Sequence, residues 1–140
     1  MKKEFVPYEL ALRMKQLGFD EKCIAYYQKS AVIGNDNILP ISFTNMASDF
    51  NDYEYSKLGV PFYSAPTWQQ AFRWFREKHN IHSFIIPLID EVGFVYKYQA
   101  RVHTKESAVK IIGEFESYEE AELACLEKLI EIVEQIKSEE

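Results

Sequence analysis

Apolar residues in this chain recur with a helical period in some stretches and a strand period in others. Leu10, Met14 and Leu17 are spaced like one face of a helix, with Pro7 suited to its first turn. Gly18 can take the left-handed conformation that closes it, so a short helix is predicted over residues 8–17. Residues 23–27 read as a strand, and residues 38–43 as a second one, pushed toward a sheet edge by Pro40. Residues 44–63 have no clear period. A loop of that length is uncommon in a compact domain, so part of it is expected to be ordered by Phe50, Tyr53, Tyr55 and Phe62.

The pattern then sharpens. Residues 67–79 place two Trp and two Phe within eight positions of one predicted helix, where Trp68, Ala71, Phe72 and Phe75 share a face. Trp74 falls about 100° from that stripe and is expected to be partly exposed, with Arg73 and Arg76 on the solvent side. Residues 82–89 are apolar and rich in strand formers, Asp90-Glu-Val-Gly93 is turn chemistry, and residues 94–105 alternate without a break. Phe94, Tyr96, Tyr98, Ala100, Val102 and Thr104 face one way; Val95, Lys97, Gln99, Arg101, His103 and Lys105 face the other. This is a half-buried hairpin strand with a basic outer face. Residues 109–115 add one more candidate strand.

Ser117-Tyr-Glu-Glu120 is a capping box, and the helix it opens is expected to run to about residue 136. Its apolar positions form two stripes. Ala121, Cys125, Leu129, Ile132 and Ile136 make one; Leu123, Leu126, Ile130 and Val133 make the other. One helix rarely needs both stripes for its own core. Either a second copy of the chain covers Leu123, Leu126, Ile130 and Val133, or the N-terminal helix packs there. Covering four such side chains contributes roughly 6–12 kcal/mol before the costs of association, and a homodimer is the favoured expectation.

Together these elements predict one α+β domain over residues 1–140. An antiparallel sheet has the 84–102 hairpin at its centre, helices pack on one face, and a long helix ends the chain. Trp68, Phe72 and Phe75 are expected against Phe94, Tyr96 and Tyr98 or their neighbours.

Composition narrows the function classes. The chain has 140 residues, 47% hydrophobic and 27% charged, which is ordinary globular composition. Its net charge of −6 disfavours non-specific nucleic-acid binding, which needs a basic footprint, although charge can be segregated locally. No stretch is long and apolar enough to span a membrane and no apolar segment follows the basic start, so a cytoplasmic protein without a membrane partner is expected. Nine Tyr and ten Phe suit either a core or a contact surface.

Candidate chemistry is sparse. Cys23 and Cys125 lie far apart and read as small buried residues without activation. His79 and His82 have a metal-ligand spacing, but a helix end and a strand start separate them. Asp49, Asn51, Asp52 and Glu54 cluster oxygen ligands without the Gly and Glu positions of a calcium loop. Neither a nucleophile elbow nor a glycine-rich phosphate loop is present. No cofactor, metal or catalytic residue is expected; a non-enzymatic role is the default, and a small enzyme of unknown reaction is the third reading. The strand face of Lys97, Arg101 and His103, extended by Arg73 and flanked by Trp74, is the best surface for a partner. An acidic protein fits it, and so does single-stranded nucleic acid, which binds basic surfaces with stacking platforms.

Three segments carry a resemblance: Phe5-Val-Pro-Tyr8 with Ala11-Leu12, Ser64-Ala-Pro-Thr-Trp-Gln-Gln-Ala-Phe-Arg-Trp-Phe-Arg-Glu-Lys78, and Ser117-Tyr-Glu-Glu-Ala-Glu-Leu-Ala-Cys-Leu-Glu-Lys-Leu-Ile130. The chain resembles a group of small proteins encoded by bacterial phages, prophages and mobile elements. Residues 30–63 lie outside the likeness. The resemblance implies an accessory protein acting on a host or phage macromolecule inside a bacterial cell, and it transfers no site residue.

Overall fold

The computed structural model describes residues 2–32, 34, 36–57 and 59–140. Among them are four α-helices and two three-stranded antiparallel sheets, an α+β architecture ending in a long helix. The chain divides into two compact units, Met1–Ala71 and Phe72–Glu140.

The first unit opens with a 3-10 turn at Lys2–Glu4 and helix α1 (Tyr8–Gln16). Leu10, Ala11 and Met14 are its buried face. Gly18 closes the helix at φ 94°, which lets the Phe19 N–H donate back to the Met14 carbonyl at 3.0 Å. Strand β1 (Cys23–Gln28) sits between β2 (Ser42–Ser48) and β3 (Phe62–Ser64). The second strand thus begins later than the sequence pattern indicates. Pro40 has no N–H for a ladder, and Ile38 makes only an isolated bridge to Lys29.

The described residues of the stretch without a period hold regular elements and contacts. It holds most of β2, the one-turn helix α2 (Tyr53–Ser56) and the start of β3. Phe50, Tyr55 and Phe62 join Tyr26 in an aromatic cluster with nearest ring centroids 4.6–5.6 Å apart, whereas Tyr53 is exposed. Asn51 clamps it: its Nδ2 donates to the Phe19 carbonyl and its Oδ1 accepts from the Ser64 N–H, both at 3.0 Å.

The second unit takes in most of helix α3 (Trp68–His79), which begins in the first. Strands β4 (His82–Ile89), β5 (Val95–Thr104) and β6 (Ser107–Phe115) follow, then helix α4 (Tyr118–Ser138). The sheet order is β4–β5–β6, with His82 opposite His103 and Ile85 opposite Ala100. Ser117 caps α4 as its sequence implies: its Oγ accepts from the Glu120 N–H at 3.1 Å, and Glu120 Oε2 accepts from the Glu116 N–H at 3.2 Å.

On the inner face of this sheet Ala100, Ala121 and Cys125 are fully buried, with Phe72, Ile85, Tyr98, Ile112 and Phe115 packed around them. Ala100 and Ala121 carry only a methyl group, so the helix can lie close to the central strand. Phe72 and Tyr98 therefore meet the same cluster. Phe94, just before β5, and Tyr96, near its start, are 70% and 54% exposed, contrary to the core role the alternation suggests. Alternation places a side chain on a face but does not guarantee that the face is covered.

Two other expectations are corrected. Trp74 is buried, 3% exposed, with its ring 5.0 Å from Phe75 and 4.9 Å from His79. The buried stripe of α3 is Ala71, Trp74 and Phe75, one flank over from the predicted one. The second stripe of α4 is not a surface either: Leu126, Ile130 and Val133 are buried within the single chain, and only Leu123 is exposed. At about 100° per residue the two stripes are adjacent sectors of one arc roughly 180° wide, with Leu123 just beyond its edge.

Candidate interaction surface

The face of the second sheet turned away from Ala100 is built by cross-strand register. Its central row is Lys97, Gln99, Arg101 and His103 on β5. Leu88, Ile86, Phe84 and His82 of β4 stand directly opposite these in turn, and Glu114 and Ile111 of β6 stand opposite Gln99 and Arg101. A basic row is therefore bordered by apolar side chains on both neighbouring strands. Phe84 is 46% exposed, Ile111 60% and Val109 46%, while Ile86 and Leu88 are half-buried.

Arg101 is held in place. Its Nε donates to Gln99 Oε1 at 2.6 Å, and Gln99 is itself buried. Fixing the guanidinium stem lowers the entropy a partner must remove, and arginine is one of the residues enriched in binding hot spots. Lys97 approaches Glu116 at 3.9 Å at the rim. His82 and His103 lie side by side with ring centroids 6.5 Å apart.

The same hairpin ends in a structured tip. Asp90 Oδ1 accepts from the N–H groups of Val92 and Phe94 at 3.0 and 2.9 Å, and Gly93 takes φ 95° to let the chain turn. Ile89, Val92, Phe94 and Tyr96 are all more than half exposed around it. Exposed apolar side chains this dense are uncommon on a monomer and mark contact surfaces. Neither the tip nor the apolar border was legible as a surface in the sequence, because both look like ordinary strand residues until their coverage is known.

Of the residues the sequence brought forward, Lys97, Arg101 and His103 do share this face. Arg73 and Trp74 do not join them: α3 packs Phe72 onto the opposite, inner face, and Trp74 is core. The acidic cluster is spent on local structure. Asp49 accepts from the Asn51 N–H, Asp52 caps α2 through the Glu54 N–H, and Glu54 pairs with Lys57 at 2.9 Å. Among the described residues no group of three or more His, Cys, Asp or Glu could hold a metal ion.

The thiols are insulated. Burial pushes the Cys23 thiol up to about 12 and the Cys125 thiol up to about 11, the reverse of an activated nucleophile. Several tyrosines of the first unit are also engaged internally: Tyr27 donates to the Val6 carbonyl at 2.8 Å, and Tyr8 meets the rings of Tyr27 and Tyr63 edge-on. No described helix is long and apolar enough to cross a membrane. Comparison of the chain with protein-family models, curated proteins and solved structures finds no match.

Proposed function

We propose that this protein is a non-enzymatic interaction module that binds another protein through the outer face of β4–β5–β6. The observation that carries this reading is the pairing of a fixed Arg101 with uncovered Phe84, Val109 and Ile111 on either side of it. Aliphatic borders favour a protein partner over nucleic acid, which makes little use of Ile and Val. Glu114 on the same face, and the chain's overall charge of −6, point the same way. The partner would present apolar side chains with a carboxylate for Arg101. The exposed hairpin tip extends the contact area. The resemblance to proteins of phages and mobile elements directs the search to host or phage proteins in a bacterial cell.

A second reading has one observation in its favour. Phe84 lies directly across from Arg101, an aromatic ring beside a cation, which is a stacking platform for single-stranded nucleic acid. Capture from bacterial lysate, with and without nuclease, separates the two. Proteins retained after nuclease by the wild type and lost from a stably folded Arg101→Glu variant support the first. Binding to labelled single strands that falls steeply with salt, and that Phe84→Ala abolishes, supports the second. Homodimerisation through Leu126 and Ile130 is no part of either, since those side chains are core.

A further inference from the structure

His79 ends α3 at a cleft of about 380 Å³ lined also by Ile81 and by Lys105 and Glu106 of the β5–β6 turn, with Ile132 and Ile136 from α4 and Glu139 just past its end. Its ring is half-buried, edge-on to Trp74 at 4.9 Å and tilted against Phe75 at 5.9 Å. The Nε2 atom is closed off from solvent and has no hydrogen-bond partner among the described residues. A buried imidazole nitrogen without a partner tolerates the neutral ring at a cost and the charged ring hardly at all.

We infer that His79 is an acid-sensitive latch, its neutral ring closing the last turn of α3 by packing on Trp74 and Phe75 of the same helix and letting that turn fray when protonated. Burial and the neighbouring cations act in that sense. Burial lowers the readiness of the ring to take a proton, and the ammonium groups of Lys137 on α4 and Lys78 on α3 add repulsion. Glu106 and Glu139 line the same cleft and act in the opposite sense, favouring the charged ring, while Lys105 adds a further positive charge there. The imidazolium would thus leave an aromatic pocket flanked by cations for solvent at the cleft mouth. The latch is separate from the sheet face: it makes the last turn of α3 pH-dependent whatever the protein binds.

The sign follows from linkage. A histidine whose folded value is depressed leaves the folded state fully stable above the unfolded value of about 6.5, and stability declines as pH falls below it. Each unit of depression is a tenfold change in the neutral-to-charged ratio relative to the unfolded chain. The direct test is an NMR titration of the imidazole Cε1–H resonances of the intact chain, with His79 assigned by its loss in His79→Phe. Titration of His79 below the 6.5 of a free histidine is expected; titration at or above it overturns the latch. Should His79→Phe not fold, His79→Gln supplies the assignment. Denaturant melts at about pH 7.5 and about pH 5.5 are the second arm. The wild type is expected to lose more stability on acidification than the non-titrating variant, and equal losses overturn the proposal.

Discussion

Replacing Leu126 by alanine separates a core role from an assembly role for the second apolar stripe of α4. Leu126 is fully buried within one chain, in the buried sector between Val133 and Ile130. Truncating a buried leucine removes its transfer free energy and leaves a cavity, together about 2–5 kcal/mol. Unfolding entropy near 2.1 cal/mol/K per residue is about 0.3 kcal/mol/K for a chain of 140 residues, so a loss of ~3 kcal/mol lowers Tm by about 10 °C. Leu123→Ala is the matched control. It deletes the same atoms from a position already 36% exposed and is expected to cost less than about 1 kcal/mol. Circular-dichroism melts at fixed concentration, with assembly mass by sedimentation, read both. A Leu126→Ala protein with unchanged Tm and lowered assembly mass would refute the burial argument and restore the stripe as a contact between copies.

Four further outcomes are expected. Asn51→Ala leaves the Phe19 carbonyl and the Ser64 N–H without their side-chain partner, so denaturant unfolding should show a loss of about 1–3 kcal/mol; no measurable loss would contradict the clamp. Cys23 and Cys125, with thiols raised to about 12 and about 11, should resist thiol reagents in the native protein at about pH 8 and react once it is unfolded. Because those thiols ionise first in the unfolded chain, stability should also fall as pH rises above the ordinary thiol value of 9.0, and a flat alkaline profile would contradict their burial. Asp90→Ala removes the acceptor for Val92 and Phe94 and should speed hydrogen exchange at those two amides with little effect on β5.

Legibility in the sequence followed how local each signal was. The capping box at Ser117, the helix ending at His79, the strand His82–Ile89 and the closure at Gly18 are set by neighbours in the chain, and they lie where the pattern puts them. The stretch around Phe50 and Asn51 was opaque because its order comes from partners such as Phe19 and Tyr26, far away in sequence. Trp74 and Leu126 show a different limit. Periodicity reports the centre of an apolar arc, whereas its width depends on how much surrounding chain closes over it. The candidate face divides in the same way. Alternation along β5 was enough to put Lys97, Arg101 and His103 together, but their apolar border needed the pairing register with β4 and β6. Arg73 was joined to them only by charge, which carries no information about sheet faces.

Two single charge reversals test the central claim most directly. Arg101→Glu changes the proposed face, and Arg73→Glu changes an exposed arginine on α3 in the same unit but off that face. Arg101→Glu also removes the hydrogen bond to Gln99 Oε1, so its Tm is expected to fall, and both variants are compared at a temperature where circular dichroism shows each to be folded. In nuclease-treated capture from bacterial lysate, quantified by mass spectrometry, Arg101→Glu should lose a partner that Arg73→Glu and the wild type retain. Equal retention by all three, or loss from Arg73→Glu alone, would contradict the assignment of the β4–β5–β6 outer face as the binding surface.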